Sequence, residues 1–239
     1  MHVPYRGSAP ALTDAVAGHV QLVIDPLATQ YVRSGDLRGL AFSGATAAPD
    51  LPGVPSIDAA GVPHEAVAAQ VDEASAKDSL IAGGISARDL SDALAELKAL
   101  KVSRMAPGAL VLGGDSIVAL DDGTLLDKPV SRDDAAAHLR QMSGRSHDIY
   151  SAAVIAEGGR AVWRHVDRAR LFVRPLSEQF IEEYLDLEWP AIAGCVGCFR
   201  IEGPGVQLFS RTEGSHFTIL GMPLLPLLDY LRVRGVLTS

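Results

Sequence analysis

The chain has 239 residues, 48% apolar and 21% charged, enough for one α/β core plus an additional piece. Its formal net charge of -8 argues against the broad electropositive surface that follows a nucleic-acid polymer, while a single nucleotide needs only a few local cations. No run of about eighteen apolar residues occurs, so no membrane span is expected. The opening Met1-His2-Val3-Pro4-Tyr5-Arg6 lacks a secretory pattern, and cytoplasmic residence is the expectation.

The first sixty residues carry no lysine and are broken at Pro4, Pro10, Pro26, Pro49, Pro52 and Pro55. His19 to Asp25 and Leu37 to Ser43 read as strands, with an irregular loop from Ala45 to Pro55. The segments from Val3 to Phe42 and from Leu51 to Pro63 resemble the substrate-binding proteins of tripartite tricarboxylate transporters. Such a protein closes two lobes around its carboxylate, and this chain has only a middle fragment of the pattern. Residues 1–60 are therefore read as a fusion relic that supplies a strand, Leu37 to Ser43, to the domain formed by residues 61–239.

From Val62 onward the pattern is regular. Ser86 with Asp89 three residues on forms a capping box, and Leu90, Leu94, Leu97 and Lys101 follow at helical spacing. Ala109 to Gly113 reads as a buried strand that emerges into a Gly-Gly-Asp turn, and Ile117 to Leu120 leads to the turn at Asp121-Asp122-Gly123. A hairpin is expected from His147 to Ala156 and Ala161 to Arg174 around Gly158-Gly159. Further helices are expected at Ser131 to Met142, Ser177 to Leu187 and Leu224 to Arg234. Alternating strands and helices make an α/β sheet the economical architecture.

Two cysteines, Cys195 and Cys198, are too few for a disulfide framework or a four-ligand zinc site. Without a strand-to-helix context, their C-x-x-C spacing reads as two small residues packed in a loop. P-loop and dinucleotide fingerprints are missing. On spacing alone, Asp115 fits a ligand-facing site or a turn cap equally well. Glu73, after Asp72, equally fits a favourable charge at a helix N-terminus. Lys98 by itself reads as a surface lysine, while Pro129 restrains the backbone beside Lys128 and can aim that side chain.

A set of short runs in fixed order changes this balance. They are VDE (Val71 to Glu73), AELKA (Ala95 to Ala99), VLGGD (Val111 to Asp115), LLDKP (Leu125 to Pro129), LRQMSGRSHDIYSAAV (Leu139 to Val154), FRIEGPG (Phe199 to Gly205) and EGSHFTILGMPL (Glu213 to Leu224). Together they resemble the Maf family of nucleoside triphosphate pyrophosphatases. The resemblance implies a mixed twisted sheet flanked by helices around a central cleft. It also implies hydrolysis of a nucleoside triphosphate to the monophosphate and pyrophosphate.

By the same resemblance, Asp115 activates water or holds a metal, and Glu73 joins it in binding a divalent cation, Mg2+ or Mn2+. Lys98, Lys128 and Arg145 meet phosphate, while Arg200 and Glu202 belong to the substrate site. His147 is left out of it as structural. Phe199-Arg200-Ile201-Glu202-Gly203 is similar to the F-K-x-E-G pattern of the subfamily that acts on 7-methyl-GTP, whose charged base suits a glutamate and an aromatic ring. A homodimer is a further expectation. The S-x-S-P-R-R loop with which the family grips phosphate is missing, and the alternative is therefore a catalytically impaired nucleotide-binding protein.

Overall fold

The computed structural model describes Ala60, Val62, His64, Glu65 and residues 67–238. The chain divides into two compact units, residues 1–68 and 69–239, and every element below belongs to the second. The strands expected at His19 to Asp25 and Leu37 to Ser43, and the loop at Ala45 to Pro55, lie outside the described residues.

Helix α1 (Glu73–Ala82) starts where the Asp72 side chain accepts from the Ser75 amide, and α2 (Ala87–Met105) starts at Ser86. The Ser86 hydroxyl accepts from the Asp89 amide at 3.1 Å and donates to the Asp89 carboxylate at 2.8 Å, so two polar groups at the helix start are satisfied together. Leu90, Leu94, Ala95, Lys98, Ala99 and Val102 recur on one side of α2 and are buried.

Strand β1 (Val111–Leu120) lies between β2 (Leu125–Leu126) and β3 (Ser146–Glu157), followed by β4 (Arg160–Val173) and β5 (Phe209–Glu213) in the order β2-β1-β3-β4-β5. Each neighbouring pair is antiparallel. The β3–β4 hairpin turns at Gly158 and Gly159, whose φ values of 56° and 74° suit residues without a Cβ. Helices α3 (Arg132–Met142), α4 (Glu178–Glu188), α5 (His216–Ile219) and α6 (Leu224–Val233) complete the α/β fold with the 3-10 turn Pro204–Leu208. Among the described residues, no helix is long and apolar enough to cross a membrane.

Alternation along β1 divides the core between the two sheet faces. Val118 and Leu120 pack with Ile149, Leu171, Leu139 and Leu185 on the α3 and α4 side, while Ile117 packs with Leu90 and Leu94 of α2 on the other.

One expectation is corrected. Gly113-Gly114-Asp115 is not a turn at a strand end, since β1 runs through it for ten residues. The reason is packing: a Cβ on Gly113 would stand 2.3 Å from the Ala95 carbonyl oxygen and 2.7 Å from the Ala99 amide nitrogen. The glycine lets helix backbone lie directly on strand backbone, and this close approach sets the height of α2 above Asp115.

Candidate active site

Asp115 sits midway along β1 opposite Ala152 of β3, with its side chain on the face covered by α2. Lys98, one turn beyond Leu94, reaches down and forms an ion pair with it. The two are 7% and 5% exposed, so the pair is shielded from water on nearly every side. The Lys98 ammonium also lies 2.9 Å from the Glu73 carboxylate, whose side chain is 34% exposed. Two carboxylates thus share the Lys98 ammonium, one of them buried and one at the rim.

Lys128 follows β2 on an exposed segment. Burial pushes the Cys195 thiol up to about 12, with nearby Glu202 reinforcing the shift and Arg200 and Lys128 opposing it. The charges of Lys128, Arg200 and Glu202 thus all act on one thiol. An ion pair between Lys77 and Asp127 joins the two groups, because Lys77 is one turn along α1 from Glu73 and Asp127 adjoins Lys128.

Arg145 is placed elsewhere. Its guanidinium donates to Asp121 at 2.9 Å and to Asp122 at 2.7 Å, across the turn after β1. This contact holds the Asp122 carboxyl well below the usual carboxylate range. Arg200 is forked onto Glu188 at 2.7 and 2.9 Å. Phe199, expected beside the base, is buried and packs edge-on against Phe209 with ring centres 4.7 Å apart, so its face belongs to the core. His147 is 1% exposed between those two rings, and burial lowers its pKa to about 4.

Sequence reasoning missed Glu188, Lys77 and Asp127. Each reads as a solvated charge on a helix or loop, and only their distant partners distinguish them. Both cysteines are free thiols, and burial raises Cys198 as well, so neither has the ready thiolate of a reactive cysteine.

Among the described residues, no cluster of three or more His, Cys, Asp or Glu side chains is arranged to hold a metal. The Glu73 and Asp115 carboxylates, meeting through Lys98, do fit the sparse oxygen donor set of Mg2+, which takes one or two protein carboxylates and completes its shell with phosphate and water.

Two carboxylates and an ammonium are thus gathered on one face of an α/β sheet. Comparison with known proteins gives the family. The chain belongs to the family of Maf-like proteins, which matches residues 57–234. The tripartite tricarboxylate transporter family receptor also matches, over residues 1–74. A protein named nucleoside triphosphate pyrophosphatase from Sphingopyxis alaskensis is 51% identical over 178 residues, covering 74% of this chain and 90% of its own length. Proteins of the same name from Hyphomonas neptunium and Caulobacter vibrioides are 50% and 48% identical, covering 76% and 75% of this chain and 90% and 89% of their own lengths.

Proposed function

We propose that the chain hydrolyses a nucleoside triphosphate to the nucleoside monophosphate and pyrophosphate. The observation that carries this reading is the convergence of Glu73 and Asp115 on the buried Lys98 ammonium.

Asp115 accepts a proton from water as the water oxygen attacks the α-phosphorus. The bond from that phosphorus to the bridging oxygen breaks, and the electron pair leaves with pyrophosphate. Lys98 and Lys128 balance charge on the phosphoryl oxygens, whose negative charge otherwise repels the attacking oxygen. Glu73 and Asp115 would hold a divalent cation, Mg2+ or Mn2+, which when bound would supply further neutralisation of the triphosphate. Glu202, exposed on its loop, accepts hydrogen bonds from the N1-H and amino group of a guanine, and its charge favours the cationic 7-methyl form. Residues 1–60 stand in this reading as a fusion relic without a carboxylate site of their own.

The test is pyrophosphate release over a nucleotide panel with Mg2+ or Mn2+. Asp115→Asn lowers kcat by about 100-fold or more if Asp115 is the base. Unchanged turnover in that variant refutes the assignment. The missing S-x-S-P-R-R loop supports a second reading, a nucleotide-binding protein of impaired activity, because two guanidinium forks are lost from the phosphate grip. Calorimetric binding without pyrophosphate release distinguishes it.

A further inference from the structure

The loop that carries Glu202 is fastened by a carboxylate that the hydrolytic steps leave unused. Glu188 is the last residue of α4 and is 1% exposed. A negative charge is unfavourable there, because the final carbonyls of a helix point their negative ends towards it. Burial adds a second cost, which a partner must offset. Arg200 provides that partner, its Nε and Nη2 donating to the two Glu188 oxygens at 2.7 and 2.9 Å. A planar fork of this kind fixes direction as well as distance.

Two other contacts hold the same loop. The Tyr184 hydroxyl, one turn earlier on α4, donates to the Cys198 carbonyl at 2.9 Å. Gly205 passes so close to Arg200 that a Cβ there would lie 2.4 Å from the Arg200 carbonyl oxygen. Glu202 lies between Arg200 and Gly205, so an exposed carboxylate is mounted on a short arch fixed at both ends. An exposed glutamate on a loose loop spreads its acceptors over many positions and reads a base edge poorly. A mounted one holds them at a single spacing.

We propose that Glu188 is a positioning residue for base discrimination, clamping Arg200 so that the Glu202 carboxylate meets the nucleobase in one orientation. This rests on the reading of the site as a nucleoside triphosphate pyrophosphatase with Glu202 at the base. Glu188 touches neither phosphate nor base in this account. Its replacement therefore alters which base is preferred and leaves the chemical step intact.

The experiment measures kcat and KM of the full chain and of Glu188→Gln on GTP, 7-methyl-GTP, ATP, UTP and dTTP. The expected result is a KM for the preferred nucleotide raised about tenfold, with kcat held within about twofold and the kcat/KM ratio between best and worst bases collapsing towards one. Arg200→Lys shifts the ratio in the same direction, and Glu188→Asp retains part of the preference. An equal fall of kcat on all five nucleotides, or an unchanged ratio, overturns the proposal. Should Glu188→Gln not fold, Glu188→Asp reads the same ratio, and losses spread evenly over the bases count against the clamp. Asp115→Asn on the same panel tests hydrolysis separately. Should turnover be absent, calorimetric Kd values for the five nucleotides replace KM, and an unchanged Kd ratio in Glu188→Gln overturns the clamp independently of catalysis.

Discussion

Lys98 carries one charge between two carboxylates, so its removal acts on stability as well as on phosphate binding. Lys98→Met withdraws the ammonium that compensates the buried Asp115 carboxylate. Urea unfolding is expected to show a loss of about 3 kcal/mol, in the range for breaking one side of a buried ion pair. The double variant Lys98→Met with Asp115→Asn loses less than Lys98→Met alone, since the buried carboxylate is neutralised together with its ammonium partner. A double variant as unstable as the single one contradicts this account. His147 gives a different prediction. Neither of its ring nitrogens has a hydrogen-bond partner among the described residues, and burial disfavours its charged form. The unfolded chain therefore takes up a proton at this site near pH 6.5, while the folded chain resists until about pH 4. Stability falls as pH drops through that window, by roughly 3 kcal/mol for this residue. His147→Leu flattens the pH dependence of the unfolding midpoint between those limits, and a variant with the original slope refutes the assignment.

At the scale of the element, α2 is the part that makes the site, because Lys98 reaches Asp115 only while the helix lies flat on β1. Gly113→Ala places a methyl group against the Ala95 and Ala99 backbone, which has no flexible end to yield. Lifting the helix is expected to cost about 1–3 kcal/mol by overpacking and to lower kcat at the same time, as Lys98 withdraws from Asp115. Thermal unfolding and pyrophosphate release measured on one preparation check both effects. Ser86→Ala is the control: it removes the cap of the same helix, at about 1 kcal/mol, without displacing Lys98. Its kcat remains that of the parent. The helices expected at Ser131 to Met142, Ser177 to Leu187 and Leu224 to Arg234 and the hairpin were legible in the sequence to within about a residue at each end, because Ser131 and Ser177 cap the first two and the glycine pair turns the hairpin, whereas only the start of α2 at Ser86 was legible and the short α5 was not. Strand β5 was not, since its burial is confined to the half-buried Phe209 while the four residues after it are exposed. A strand at a sheet edge with one partner leaves little apolar pattern to read.

Over the whole molecule, the described fold is held by packing on two faces of one sheet, with no cluster of metal-ligating side chains inside it. Chelation is therefore expected to abolish turnover while leaving the unfolding midpoint of the nucleotide-free protein where it was. A midpoint that falls on chelation points to a structural metal instead. The family match beginning at residue 57 and the transporter-receptor match ending at residue 74 overlap over residues 57–74, a span that takes in Glu73 and the start of α1.

By itself the sequence determined the α/β class, the positions of the caps and the order of the runs that carry Glu73, Lys98, Asp115, Lys128 and Glu202. These are local properties of spacing and side-chain chemistry. Tertiary structure alone decided that Gly113 serves helix packing, that Lys98 is buried between two carboxylates, and that Arg145 turns to Asp121 and Asp122. It also paired Glu188 with Arg200 across twelve residues. A charged side chain carries no mark of its partner in the linear chain. Whether it is solvated or clamped depends on which distant group the fold brings within hydrogen-bond reach.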